Sequence, residues 1–214
     1  KPHHGYRIAR LAQDLEDLLD ALDIEQADLL GWSMGVSVIW SYMDQKGTGR
    51  IRKFVAVDQP AAVAAVPWMT DAEQSESGAT FGVDGLVDLG ASLNGEDGPA
   101  ATESFVRSMF SGTPAQEVWD FVAQGITSTP AYAGVPLLFD HATQDWRDVL
   151  PRIDVPTLVL GCDGSRVSPD SQRYIADRIP NAQLHVFPTD VANSHFMFLE
   201  NPEAFNAVVE EFLS

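Results

Sequence analysis

The chain has 214 residues, a length typical of a single domain that buries a sizeable hydrophobic core. Its 31 acidic residues against 13 Lys and Arg give a formal net charge of −18, which repels nucleic acid and anionic membranes. We therefore expect neither as a partner, and no apolar stretch approaches the roughly 18 residues of a membrane-spanning helix. The single Cys162 excludes an internal disulfide and leaves the compartment open. We expect a cytoplasmic protein.

The N-terminal part of the chain alternates between helix and strand patterns. Residues 7–22 place apolar side chains at helical spacing, which predicts an amphipathic helix with acidic residues on its outer face. The apolar run 27–32 predicts a buried strand, and residues 34–42 return to a helical pattern. Residues 51–58 predict a second strand.

The same alternation resumes in the C-terminal part. Residues 155–162 predict a short apolar strand of the kind found at the centre of a parallel sheet. A helix over 171–180, a strand over 182–188 and a helix over 202–214 follow. Strands that alternate with helices favour right-handed crossovers, and so predict an α/β protein with a mostly parallel, doubly wound sheet.

Residues 60–150 interrupt this alternation. The part from 70 to 100 is rich in Gly, Ala, Ser and acidic residues, which predicts a mobile stretch, whereas apolar helical segments follow it. We interpret the whole interruption as a helical cap inserted between two strands of the sheet. The core then comprises residues 1–59 and 151–214, and the cap comprises residues 60–150.

A lone serine lies at the junction of the first strand and the helix that follows it. The sequence GWSMG (residues 31–35) places Ser33 between two glycines, in the strand–turn–helix context that gives the G-x-S-x-G pattern its meaning. Such a turn holds its central residue in a strained conformation, and the helix N-terminus with the amide of Met34 can stabilise a negative oxygen. The alternative is that Ser33 only caps the helix.

A serine hydroxyl needs a base, and the best-placed histidine is His195. It lies in a loop after the last strand, at the sheet edge where the carboxyl ends of parallel strands meet. Two carboxylates also follow strands and could orient its imidazole, namely Asp58 and Asp163. Asp163 is followed by Gly164, so a simple turn is the alternative explanation for it.

With these elements in place, the sequence resembles the α/β-hydrolase superfamily over essentially its whole length. The resemblance rests on GWSMG (31–35), VPTLVLG (155–161) and SHFMFLENPEAFN (194–206). It implies the α/β-hydrolase fold and a triad in the order Ser, Asp, His. The segment LLFDHATQDWRDVLPRI (137–153) is similar to the end of the cap in one bacterial subgroup of esterases, lactonases and cofactor-free haloperoxidases.

The resemblance departs from the usual pattern at the acid. The superfamily usually places the acid after the strand 155–161, at the position that Gly164 occupies here, so that Asp163 lies one residue early. The stretch GSRVSP (164–169) resembles a subgroup that has a small residue or serine there and carries the acid on the preceding strand. We therefore favour Asp58 over Asp163.

A second departure lies at the N-terminus. The superfamily carries several strands, and a His-Gly loop that supplies an oxyanion amide, ahead of the helix that begins this sequence. The strand before GWSMG would then be an exposed apolar edge, which invites pairing. We expect a complementary N-terminal segment or subunit as a partner, and a homo-oligomer as a further form of association.

The resemblance and the residues together predict a serine hydrolase that acts on a small carboxylic ester or lactone without cofactor or metal. Ser33 would attack the carbonyl, His195 would accept its proton, and the Met34 amide would bind the oxyanion. Trp32 and apolar cap residues would line the substrate pocket, unless the cap residues only hold the cap on the core: Trp68, Met69, Phe110, Trp119, Phe121 and Trp146. The alternatives are a haloperoxidase-like, perhydrolase-like or lyase reaction at the same triad, or a non-catalytic binding protein on this fold.

Overall fold

Four parallel strands form the central sheet of the computed structural model, which describes residues 1–214. The strands lie in the order β1–β2–β5–β6, and every neighbouring pair is parallel. The predicted α/β architecture is therefore confirmed. The bounds of the four strands are Ala27–Trp32 (β1), Ile51–Val57 (β2), Thr157–Cys162 (β5) and Ala182–Phe187 (β6).

Helices cover both faces of this sheet, because successive residues of a strand point to opposite sides. In β2, Phe54 and Ala56 join one buried cluster, and Val55 and Val57 join the other. The first cluster packs under helices α1, α2 and α8, and the second packs under α9 and α10. The bounds of these helices are Ile8–Ala21 (α1), Met34–Lys46 (α2), Pro169–Arg178 (α8), Met197–Glu200 (α9) and Pro202–Leu213 (α10).

Strand β1 differs from the buried strand that its apolar run predicts and agrees with the exposed edge that the resemblance implies. It pairs only with β2, and its residues are mostly half-buried, with Leu30 47% exposed. An edge strand loses the neighbour that would cover its other side, which explains the exposure. Pairing of this edge with a further segment or subunit stays a prediction.

The segment between β2 and β5 contains five helices and a two-stranded parallel sheet. Their bounds are Ala64–Ala65 (β3), Asp71–Ser77 (α3), Phe81–Gly82 (β4), Val83–Leu93 (α4), Gly98–Arg107 (α5), Gln116–Thr127 (α6) and Ala131–Ala142 (α7), and a 3₁₀ turn at Leu150–Arg152 leads into β5. None of the protein's helices combines the length and apolar character that a membrane crossing requires.

The stretch 70–100, expected to be mobile, is largely helical in the structure. Thr70 and Glu73 form a reciprocal capping box at the start of α3, and Gly78 ends that helix in the left-handed conformation at φ 81°. The overall composition of small and acidic residues was therefore misleading, because the stretch contains residues that begin and end helices. The stretch expected to be mobile contributes α3, α4 and the start of α5.

Candidate active site

Ser33 lies on a strained turn between β1 and α2. Its backbone has φ 52° and ψ −127°, a region that non-glycine residues rarely adopt. Its amide donates to the Val57 carbonyl at 2.8 Å, so the hydrogen bonding of β1 to β2 continues into the turn. The Ser33 side chain makes no capping hydrogen bond to α2, which removes helix capping as the reason for this serine.

Gly31 makes this sharp turn sterically feasible. A Cβ atom at residue 31 would lie 2.7 Å from both the Gly35 carbonyl carbon and the Val36 nitrogen. These are backbone atoms, so the first turn of α2 could not remain where it is. A Cβ at Gly35 itself would meet no atom within 4 Å. Of the two glycines in GWSMG, only Gly31 is therefore required by the close approach of the backbone.

The Met34 amide lies at the N-terminus of α2, where helix amides lack an intrahelical acceptor. The positive end of the helix dipole adds to the attraction for a negative oxygen at this point. The turn therefore places the Ser33 hydroxyl beside a donor that can stabilise an oxyanion.

The structure brings His195 and Asp58 together, although 137 residues separate them in sequence. His195 Nδ1 lies 2.7 Å from Asp58 Oδ2. His195 is 5% exposed and Asp58 is fully buried at 0%. Asp58 follows β2 directly, and His195 lies in the loop between β6 and α9. An Nδ1–H donated to the carboxylate leaves the Nε2 lone pair of a neutral imidazole free to accept a proton.

Asp163, the other candidate acid, makes no hydrogen bond or ion pair with His195, which pairs with Asp58. Its side chain is exposed, and its amide donates to the Phe187 carbonyl at 3.0 Å as β5 ends. The structure thus pairs the histidine with the carboxylate favoured in the sequence analysis.

Asp58 is held in a buried and polar setting. Burial raises the pKa of this carboxyl, and the His195 imidazole and the Ser165 hydroxyl act against that rise. Both of these groups bond the same oxygen, Oδ2, while Oδ1 has no hydrogen-bond partner. The nearby Cys162 thiol has its pKa raised to about 12, by burial first and then by the Asp58 charge, so it remains protonated.

The loop that carries His195 is fixed from two sides. Trp32 Nε1 donates to the His195 carbonyl at 2.8 Å, and the two rings lie 4.9 Å apart. From the inserted segment, the Met109 carbonyl accepts from the His195 amide at 3.2 Å, and Phe110 stacks on Phe196 at 4.4 Å. The position of this histidine therefore depends on the insertion as well as on the sheet.

The residues predicted to line a substrate pocket lie in different surroundings. Trp146 lies in the core beside Trp40, with 6.3 Å between the ring centroids. Trp68 is 77% exposed to solvent. Trp119 is buried in a cluster with Phe110, and the Arg107 guanidinium lies 3.4 Å from the centroid of its ring.

Among the remaining candidates, Met69 is buried and Phe121 is exposed. Trp32 is the one predicted substrate-binding tryptophan that contacts His195. The predicted pocket residues thus differ in how deeply they are buried, and their positions in the sequence did not indicate this difference.

The sequence analysis also missed two polar residues near the pair formed by Asp58 and His195, which we call the dyad. Ser165 donates a hydrogen bond to Asp58, as described above. His141, in the last turn of α7, is buried, and its Nδ1 has no hydrogen-bond partner. Burial first, and then the neighbouring His195 imidazole, lower the pKa of His141 to about 4. The departure of GSRVSP from the usual acid motif was the one signal that pointed toward Ser165.

A serine on a strand-to-helix turn, a buried histidine–carboxylate pair and a parallel sheet covered by helices on both faces define the α/β class of hydrolases. The chain belongs to the Alpha/beta hydrolase family, whose model matches residues 2–208. The same structure shows no group of three or more His, Cys, Asp or Glu side chains arranged to hold a metal ion.

Named relatives of this chain carry out more than one reaction. A non-heme chloroperoxidase of Kitasatospora aureofaciens is 28% identical over 219 residues, which covers 98% of this chain and 76% of the relative. A 3-oxoadipate enol-lactonase of Acinetobacter baylyi is 27% identical over 213 residues, which covers 98% of this chain and 72% of the relative. The solved structure of an esterase from Exiguobacterium antarcticum superposes with a TM-score of 0.85 at 20% identity, over 100% of this chain and 76% of that one, which supports the fold alone.

Proposed function

We propose that the protein is a serine hydrolase that cleaves a small carboxylic ester or lactone through an acyl-enzyme. Ser33 is the nucleophile, His195 the general base and Asp58 the carboxylate that orients the imidazole. The observation that carries this proposal is the buried 2.7 Å contact between His195 Nδ1 and Asp58 Oδ2, in a fold whose serine lies on a strained turn. Such a pair gives His195 the tautomer that a serine hydroxyl needs.

In the acylation step, the Ser33 oxygen attacks the carbonyl carbon while His195 Nε2 takes its proton. The carbonyl oxygen becomes an oxyanion, and the Met34 amide donates a hydrogen bond to it. When the tetrahedral intermediate collapses, the bond to the leaving alkoxide breaks and His195 returns the proton to it. For a lactone, the released alcohol remains part of the acyl group.

In the deacylation step, His195 Nε2 takes a proton from a water molecule whose oxygen attacks the acyl carbon. The bond between the acyl carbon and the Ser33 oxygen then breaks, the carboxylic acid leaves, and His195 returns the proton to Ser33. Residues 60–150 act as a cap over this reaction, because Met109 and Phe110 contact the loop of His195 directly. Inserted segments above the carboxyl ends of strands commonly control access to a site. The enol-lactonase among the relatives supports an ester or lactone substrate.

A second candidate reaction uses the same acyl-enzyme with hydrogen peroxide in place of water. Peroxide attack on the acyl carbon releases a peracid and restores Ser33, so no further residue is needed. The non-heme chloroperoxidase among the relatives favours this candidate. The nucleophile of the second step is the one difference between the two reactions.

The nucleophile is tested by covalent labelling with a fluorophosphonate probe. We expect the wild-type protein to be labelled and Ser33→Ala to be unlabelled with its fold intact. Ser37→Ala is the matched control, because Ser37 is a fully buried serine in α2, the helix that follows Ser33, and its loss should leave labelling unchanged. Equal labelling of Ser33→Ala and the wild type contradicts the proposal.

The second reactant is tested by product analysis. Turnover of short-chain p-nitrophenyl esters and simple lactones is measured with and without hydrogen peroxide. Free acid as the product in both conditions supports hydrolysis. A peracid as the main product at low millimolar peroxide supports the second candidate.

A further inference from the structure

Ser165 lies in the loop between β5 and α8 and makes a long-range contact with the dyad. Its Oγ donates a hydrogen bond to Asp58 Oδ2, across 107 residues of sequence. The same oxygen lies 2.7 Å from His195 Nδ1. One carboxylate oxygen therefore accepts hydrogen bonds from two different loops, after two neighbouring strands of the sheet.

The loop also sets the direction of the Ser165 hydroxyl. The Val167 amide donates to Ser165 Oγ at 3.2 Å, which occupies one acceptor site of that oxygen. A hydroxyl has a single hydrogen to donate, and an ionised carboxylate can only accept. The hydrogen of Ser165 is therefore directed to Asp58.

We infer that Ser165 is a positioning residue that holds the Asp58 carboxylate toward His195 and stabilises its charge. Ser165 acts through Asp58 and touches neither the substrate nor Ser33. The inference rests on the proposed function. The position of Asp58 makes such support necessary, because its side chain is fully buried and its Oδ1 has no hydrogen-bond partner. Without Ser165, His195 would be the only hydrogen-bonding group that holds this carboxylate.

Removal of the hydroxyl should slow the chemical step. A hydrogen bond to a charged group is strong enough that its loss should change the rate of the chemical step by roughly 10- to 100-fold. We expect Ser165→Ala to lower kcat by about that factor and to leave KM nearly unchanged. Ser165→Thr keeps the hydroxyl and should recover most of kcat.

The pH dependence of kcat/KM distinguishes a positioning role of Ser165 from a purely structural one, because a structural role would not shift it. The Ser165 hydrogen bond lowers the pKa of Asp58, so its removal makes the Asp58–His195 pair easier to protonate. The acidic limb of kcat/KM should therefore move to higher pH in Ser165→Ala and return in Ser165→Thr. Two other titratable groups lie near this pair. The Cys162 thiol beside Asp58 has a pKa of about 12 and does not titrate in that range, and His141, which is near His195, has its pKa lowered to about 4 and is unchanged in both variants.

Ser168→Ala is the matched control. Ser168 lies three residues further along the same loop and accepts from the Asp170 amide at 3.2 Å, where it caps α8. Its loss should lower the melting temperature but leave kcat and the pH profile unchanged. If Ser165 merely supports the loop through the Val167 amide, Ser165→Ala should behave in the same way.

The experiment measures ester turnover, the rate of fluorophosphonate labelling and the downfield proton resonance of His195 Nδ1–H for all three variants. We expect Ser165→Ala to be slow in turnover and in labelling, with a shifted resonance. Unchanged labelling, pH profile and resonance in Ser165→Ala would overturn the inference while a labelled wild type still supports the hydrolase. Absence of labelling in the wild type would instead count against the proposed function, and the resonance would then report on Ser165 alone.

Discussion

Replacement of His141 by leucine should make the protein less sensitive to acid. His141 is 6% exposed at the end of α7, and its Nδ1 has no hydrogen-bond partner. Burial is the main cause that lowers its pKa to about 4, and the His195 imidazole adds to the effect. The folded protein therefore holds this ring neutral under conditions in which an unfolded chain would protonate it.

The size of the effect follows from the two pKa values. A histidine in the unfolded chain titrates near 6.5, so as pH falls below that value the unfolded state gains a proton that the folded state does not bind. The free energy of unfolding therefore falls as pH decreases from about 6.5 to about 4. With these values the loss is about 2 kcal/mol at pH 5 and approaches about 3 kcal/mol below pH 4.

The assay is urea unfolding at pH 7.5 and pH 5.0, followed by circular dichroism. We expect the wild-type protein to lose about 2 kcal/mol more than His141→Leu between these conditions, because the variant lacks the titrating group. His185→Leu is the comparison variant. His185 in β6 also has its pKa lowered by burial but is only partly buried, so solvent should weaken its contribution. An identical pH dependence in wild type and His141→Leu would refute this account of the buried ring.

Two further predictions concern the turn and the acid. Gly31→Ala should abolish ester turnover and lower the melting temperature, because its Cβ would lie 2.7 Å from backbone atoms, whereas Gly35→Ala should be tolerated at an open position. Normal turnover in Gly31→Ala would show that the turn can adjust. Asp58→Asn should lower kcat by a factor on the order of 10⁴, and Asp163→Asn should have little effect, since only Asp58 contacts His195. The opposite ranking of these variants in ester hydrolysis would place the orienting acid on Asp163.

Local patterns were sufficient to predict the four strands of the central sheet, its main flanking helices and their parallel arrangement. The apolar run before GWSMG and the helical spacing after it depend only on neighbouring residues, so they predicted β1, Ser33 and α2 in the correct order. The helix continues to Lys46, because no residue before Gly47 interrupts it. Apolar strand residues do not reveal which strand lies at the edge, so the strand pattern predicted a buried β1, and only the resemblance indicated an exposed edge.

The choice between the two acids was a matter of tertiary structure. Asp58 and Asp163 both follow strands whose carboxyl ends meet at one edge of the sheet, and the turn pattern alone left both open. The backbone of Asp58 adopts φ 52°, and its side chain is buried against His195, whereas Asp163 faces solvent. A resemblance to one subgroup favoured Asp58, and the structure placed it in contact with the histidine.

The sequence by itself determined the strands and main helices of the central sheet, their order and the turn that presents Ser33, because helix periodicity, strand alternation and glycine geometry are local properties of the chain. The tertiary structure decided which side chains surround that turn. Trp146 joined the core, Trp68 faced solvent, and Ser165 bonded Asp58 from 107 residues away. Each of these outcomes depends on how distant elements pack, and burial or pairing across such distances leaves no periodic trace in the sequence.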